Sequence, residues 1–129
     1  MNGRFLLDTN IVIAIFAKDA GVQQHLAEEI AVFVPSIVLG ELYYGAYKSA
    51  RVAANIARIS EFAASNTVLV CGIATAQQYG QIKNGLRTKG RPIPENDIWI
   101  AAIAKQHQLT LVSRDAHFND IEGLSVEAW

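Results

Sequence analysis

One cysteine, Cys71, is all that the chain contains, so no disulfide can close within it and a reducing compartment is permitted. Cys71 follows the apolar run TVLV and reads as a small buried residue rather than a nucleophile. Long apolar runs are also missing. The longest stretch without charge, residues 62–82, is broken by Ser65, Asn66, Thr67, Gly72, Gln77 and Gln78, which argues against a membrane span. Asp8 interrupts the first apolar run almost at once, so no secretory signal is expected and the cytoplasm is the expected location. Neither sign of charge dominates: 11 Lys and Arg stand against 12 Asp and Glu, a net charge of −1. Bulk electrostatics therefore announce no nucleic-acid partner, and any such site must rest on local charge. Acids are absent between Glu61 and Glu95. Repeats, linkers and low-complexity segments are absent too.

What remains is a chain rich in apolar residues, 51% against 18% charged, which argues against disorder. Its 129 residues suffice for one domain with a real core, taken as residues 1–129. Apolar, β-rich runs occur at 4–7, 32–34, 67–70, 109–112 and, weakly, 124–127. None alternates with polar residues for long, as expected of strands buried on both faces. Helical patterns fill the gaps, at 10–17, 21–31, 36–47, 50–64, 73–88 and 95–107. Strands alternating with helices predict an α/β fold, with a mostly parallel central sheet of about five strands flanked by helices.

Four acids sit where a soluble protein would not ordinarily put them. Asp8 is the only charge between Arg4 and Lys18, and Glu41 the only one between Glu29 and Lys48. Asp97 opens the run IWIAAIA, and Asp115 follows LTLVS by one basic residue. A carboxylate in apolar surroundings is costly unless it is paired, protonated or bound to a cation. Asp8 and Asp115 fall just after the carboxyl ends of strands, where open α/β sheets bind ligands. Asp97 falls in the first turn of its helix, where the macrodipole favours negative charge. Taken singly, Asp8, Asp97 and Asp115 also fit caps or turns. Taken together with Glu41 they predict one oxygen-rich site, suited to Mg²⁺ or Mn²⁺ and to the chemistry of phosphate esters.

LLDTN at 6–10, LGELYYG at 39–45, NDIWIAAIA at 96–104 and LVSRDAHF at 111–118 resemble the four acidic motifs of the PIN-domain nucleases, in family order. The tail IEGLSVEAW at 121–129 is similar to the end of VapC-type toxins of bacterial toxin–antitoxin pairs. The resemblance implies a PIN-like fold and a metal-dependent endoribonuclease that hydrolyses RNA phosphodiester bonds with Mg²⁺ or Mn²⁺. Asp8, Glu41 and Asp97 match the three main acidic positions and Asp115 the more variable fourth, as catalytic residues and metal ligands. Thr9 and Ser113 match hydroxyls that orient a carboxylate or a bound water. A cognate antitoxin and a toxin homodimer are implied as partners. A PIN nuclease that processes or degrades RNA without an antitoxin is the alternative reading. A phosphoacceptor domain fits worse, because TVLVCG lacks the aspartate needed after the third strand.

The remaining residues suggest surfaces. Lys83, Arg87, Lys89 and Arg91 fall in nine residues, and Arg114 sits beside Asp115. These cations are candidates for RNA phosphate contacts, or else a solvated helix end. Ile11, Ile15, Phe16, Tyr43 and Tyr44 supply more apolar surface than a small domain is expected to bury, which suits an interface or else ordinary core packing, and the resemblance implies an antitoxin helix in a groove near them. His25, His107 and His117 show no metal-ligand spacing, and His117 reads as a surface or capping residue.

Overall fold

The computed structural model describes residues 3–28 and 30–129. Strand β1 (Arg4–Leu7) is followed by helices α1 (Thr9–Phe16) and α2 (Ala20–Leu26). Strand β2 (Ala31–Pro35) leads into α3 (Ser36–Tyr47) and α4 (Val52–Ala64). Strand β3 (Thr67–Leu69) precedes α5 (Ile73–Lys89) and α6 (Glu95–His107). Strand β4 (Thr110–Val112), a 3₁₀ turn (Ala116–Asp120) and β5 (Val126–Glu127) complete the order. All strand pairs are parallel, and the sheet order is β3-β2-β1-β4-β5.

That order sets the site. The chain works outward from β1 through β2 to β3, then returns to place β4 on the other side of β1. The connections after β1 and β4 diverge, which opens a crevice at the carboxyl ends of these two strands. Leu6, Leu7, Leu111 and Val112 are wholly buried in the centre of the sheet. Burying each such side chain contributes about 1.5–3 kcal/mol. Beyond the regular pairing, the Asp8 N–H donates to the Val112 carbonyl at 3.0 Å and holds the end of β1 against β4.

The helices follow local signals. Asp8 caps α1 in an extended conformation. Lys18, at φ 58°, ends that segment with a left-handed residue before Asp19 caps α2 by accepting from the Val22 N–H. Gly90, also left-handed, closes α5. Ile98 and Ile100–Ala104 are all buried, so α6 is apolar around most of its circumference, which explains the uncharged run there. Helix α5 packs along α6. Thr75, fully buried, fastens the two: its hydroxyl donates to Gln106 and accepts from the Gly72 N–H.

Three expectations need correction. The second helix ends at Leu26, not 31, because Ala31 already pairs with Arg4 in the sheet; Glu29, inside the expected range, lies outside the described residues. Cys71 is exposed, because the edge strand β3 stops at Leu69 and leaves it in the loop before α5. Ile11 is fully buried in the core, so it cannot line a groove. The apolar groove lies instead between α1 and α4. Ile15, Phe16, Phe62 and the stem of Arg58 line it, and Arg58 stands over the Phe16 ring at 4.8 Å. Tyr43 is half-buried with its hydroxyl 2.7 Å from Ser60 Oγ, and Tyr44 is exposed. Among the described residues, no helix is long and apolar enough to cross a membrane.

Candidate active site

Asp8 is the pivot of the crevice. It leaves the end of β1 only 3% exposed, and Ser113, at the end of β4, is 2% exposed. Ser113 Oγ donates to Asp8 Oδ2 at 2.7 Å, and the Thr9 N–H donates to Asp8 Oδ1 at 2.8 Å. Asn10 adds a long contact to Asp8 at 3.5 Å and accepts from the Arg114 N–H at 3.2 Å. Two strand ends are thus tied together through one carboxylate. Burial pushes the Asp8 carboxyl above its ordinary range, and the charges of Glu41 and Asp115 add to this, while the donors from Ser113 and Thr9 oppose it.

Glu41 reaches the same crevice from the middle of α3. The Thr9 hydroxyl donates to its Oε1 at 2.5 Å, and the Asn96 amide reaches Oε2 at 3.5 Å. Asp97 comes from the first turn of α6, with a side chain 14% exposed. Burial raises its pKa from 3.8 to about 6; Asp8 and Glu41 push the same way and His117 pulls against them. Asp115 follows β4 and is exposed, with its N–H donating to Ser113 Oγ at 3.0 Å. Asp8, Glu41, Asp97 and Asp115 all line one open cleft of about 550 Å³, together with Thr9, Asn10 and Asn96. Among the described residues, no lysine or arginine forms an ion pair with any of these four acids. Converging hard oxygens without a protein cation are a donor set that fits a divalent metal ion.

His117 is half-buried and meets Asp97, although its sequence spacing suggests only a surface or capping residue. The 3₁₀ turn folds the chain back so that His117 Nε2 lies 2.8 Å from Asp97 Oδ2. Ligand atoms of Asp97, Asp115 and His117 all lie within 4.8 Å of one another. The signal available in the sequence was a histidine two residues beyond an acid, too short a pattern to be read without the turn. Asn10, two residues after Asp8, and Asn96, beside Asp97, carry no such signal in the sequence.

The basic cluster is split. Lys83 pairs with Glu95 at 2.8 Å and donates to the Tyr79 hydroxyl at 3.1 Å. Lys89 donates to the Asp120 carbonyl at 2.7 Å and stands 3.8 Å from Glu122; Arg91 lies 4.0 Å from Asp120. Arg114 is anchored to Asp19 at 3.1 Å and to the Trp129 carbonyl at 2.9 Å. Arg87 is exposed and forms no ion pair among the described residues. It lines a second groove with Lys83 and Glu95, and Glu95 also borders the acidic cleft.

Comparison with known proteins fits this arrangement. The PIN domain family model matches residues 5–124. The ribonuclease VapC2 of Haemophilus influenzae is 37% identical, with 98% of each chain covered. The tRNA(fMet)-specific endonuclease VapC of Shigella flexneri is 36% identical over 98% of each chain. Among solved structures, VapBC2 from Rickettsia felis, bound to a DNA fragment from their promoter, superposes with a TM-score of 0.89 at 30% identity, covering 97% of this chain and 98% of that one. A family match across most of the sheet and relatives this similar over their full length lead to one assignment: the chain belongs to the PIN domain family, with the VapC ribonucleases.

Proposed function

We propose that the chain, as a single PIN domain over residues 1–129, is a metal-dependent endoribonuclease and the toxin of a toxin–antitoxin pair. The observation that carries this is the meeting of Asp8, Glu41, Asp97 and Asp115 in one cleft with, among the described residues, no lysine or arginine paired to them. Such a cage is unstable on its own, because several carboxylates at close range resist ionising together.

Asp8 and Asp97 serve as the main metal ligands, and Glu41 and Asp115 bind directly or through water. When bound, Mg²⁺ or Mn²⁺ lowers the pKa of a coordinated water and neutralises charge on the phosphate. Ser113 holds Asp8 by its Oδ2, and Thr9 holds Glu41 by its Oε1, so both carboxylates keep their orientation as RNA arrives. Asp97, half-protonated near pH 6 without metal, releases its proton as a cation takes that place. Lys83 and Arg87 line the groove beside the cleft and offer phosphate contacts. The groove of Ile15, Phe16 and Phe62 receives an apolar segment of the antitoxin, and the toxin pairs with a second copy of itself. The Rickettsia felis relative, solved as VapBC2, supports such a partner.

The test is cleavage of RNA by the purified chain, starting with tRNA(fMet), the substrate in the name of the Shigella relative. Cleavage should require Mg²⁺ or Mn²⁺ and stop with chelator. Asp8→Asn and Asp97→Asn should each lower it at least about a hundredfold, since outer partners of a metal alone are worth about 10–100-fold. Full cleavage in excess chelator would sink the proposal.

A further inference from the structure

The four acids account for a hard, all-oxygen cage, yet a nitrogen stands at its edge. His117 Nε2 is 2.8 Å from Asp97 Oδ2, and one ligand atom from each of Asp97, Asp115 and His117 lies within 4.8 Å of the other two. Around an octahedral ion with bonds of about 2.1 Å, neighbouring donors stand about 3.0 Å apart and opposite donors about 4.2 Å apart. The three side chains therefore already approach the spacing of a coordination shell. His117 is also held in place. It sits on the 3₁₀ turn, half-buried, with its ring 4.8 Å from that of the wholly buried Phe118. No other described histidine is placed so. The His25 ring is stacked on Trp129, and His107 ends α6 away from its acidic first turn.

We propose that His117 is a direct ligand of the bound cation, so that Asp97, Asp115 and His117 form a mixed nitrogen and oxygen subsite that prefers Mn²⁺ to Mg²⁺. The proposal rests on the metal-dependent reading above and sharpens it. Mg²⁺ keeps its water and favours oxygen, whereas imidazole suits first-row transition ions. A neutral nitrogen in the shell also adds a donor without adding a further negative charge to a cleft already crowded with carboxylates. The competing arrangement keeps His117 as an outer partner that only steadies Asp97 by donating to Oδ2.

Pulsed electron paramagnetic resonance on the Mn²⁺-loaded wild-type protein separates the two. A directly coordinated imidazole gives a nitrogen hyperfine coupling, read on the unaltered chain and so independent of whether any variant folds. The coupling should be lost in His117→Gln and kept in His25→Gln. Calorimetric titrations of wild type and His117→Gln with Mn²⁺ and with Mg²⁺ should show the Mn²⁺ preference falling about tenfold or more. Glutamine can still donate to Asp97, so an outer role would survive the change. Mn²⁺ bound without nitrogen coupling, and with the same preference in His117→Gln, overturns the proposal while leaving the metal site intact. Failure of the wild type to bind either cation overturns the underlying metal-dependent reading as well.

Discussion

Ser113 is a small residue with three partners: it donates to Asp8, receives the Asp115 N–H and lies 3.4 Å from the Asn10 amide. Replacing it with alanine removes a side-chain hydroxyl that donates to a nearly buried carboxylate, a bond to a charged group worth about 1.5–3 kcal/mol. Ser113→Ala should therefore weaken Mg²⁺ binding about tenfold or more in a calorimetric titration, with Thr9→Val a weaker parallel at Glu41. Asp97 makes a sharper case. In the metal-free protein its pKa is raised from 3.8 to about 6. The folded state therefore binds more protons than the unfolded one between these values, and stability falls as pH rises through them. This contribution is fully present below about pH 4 and lost above about pH 6. Urea unfolding in chelator should show that decline, and Asp97→Asn should flatten it and raise stability at neutral pH. A variant less stable than wild type at pH 7 in chelator would contradict the idea that Asp97 is strained without a cation. The acids were legible in the sequence because each one interrupts an apolar run, and such interruptions are costly enough to need a reason. His117 was not, because its neighbours in space come from α6, about twenty residues away in the chain, and only the 3₁₀ turn brings them together.

Elements with their own punctuation are legible in the sequence. Pro35 and Pro94 stand before α3 and α6, Asp8 caps α1, and the run RFLL at 4–7 is β1 to the residue. The boundary between α2 and β2 was blurred because Ile30, Ala31 and Val32 suit helix and strand alike, and the choice is made by pairing with β1. The same limit applied to the surface of α1. Apolar residues cover more than one face of that helix, but which face meets the core depends on how β1 and α3 approach it. Ile11 went inward, while Ile15 and Phe16 stayed at the groove. Helix α6 carries Asp97, and its seat against α5 rests partly on Thr75. Thr75→Val keeps the shape but leaves the Gly72 N–H and the Gln106 side chain short of a partner. It should cost about 1–3 kcal/mol in urea unfolding. Metal affinity should stay within about a factor of two, since the cleft draws nothing from Thr75. A large loss of metal binding would show instead that the α5 and α6 pairing sets the position of Asp97.

At the scale of the whole molecule, a net charge of −1 conceals a separation of charge. Carboxylates gather at the carboxyl edge of β1 and β4, and the acid-free segment from α5 to Arg91 supplies the cations of the groove that shares Glu95 with the cleft. A strand of RNA crossing the cleft would leave it past Glu95, where the acidic cleft and the groove of Lys83 and Arg87 meet. Along that route Arg87 is the cation with no ion pair among the described residues, so it can take a phosphate without first breaking a bridge. Lys89 and Arg91 turn toward Asp120 and Glu122 instead. The salt dependence of RNA binding reads these differences directly, because each phosphate contact on a single strand contributes a log–log slope of about −0.7. Using an Asp97→Asn background to prevent cleavage, Arg87→Ala should flatten the slope by about 0.7 and weaken different RNA sequences alike. Lys89→Ala should leave the slope nearly unchanged, since Lys89 shares a different groove with Asp120 and Glu122. Equal slopes for the Arg87 variant and its parent would send the RNA path away from α5. A drop for Lys89→Ala as large as for Arg87→Ala would mean that its bridge to Glu122 opens when RNA binds.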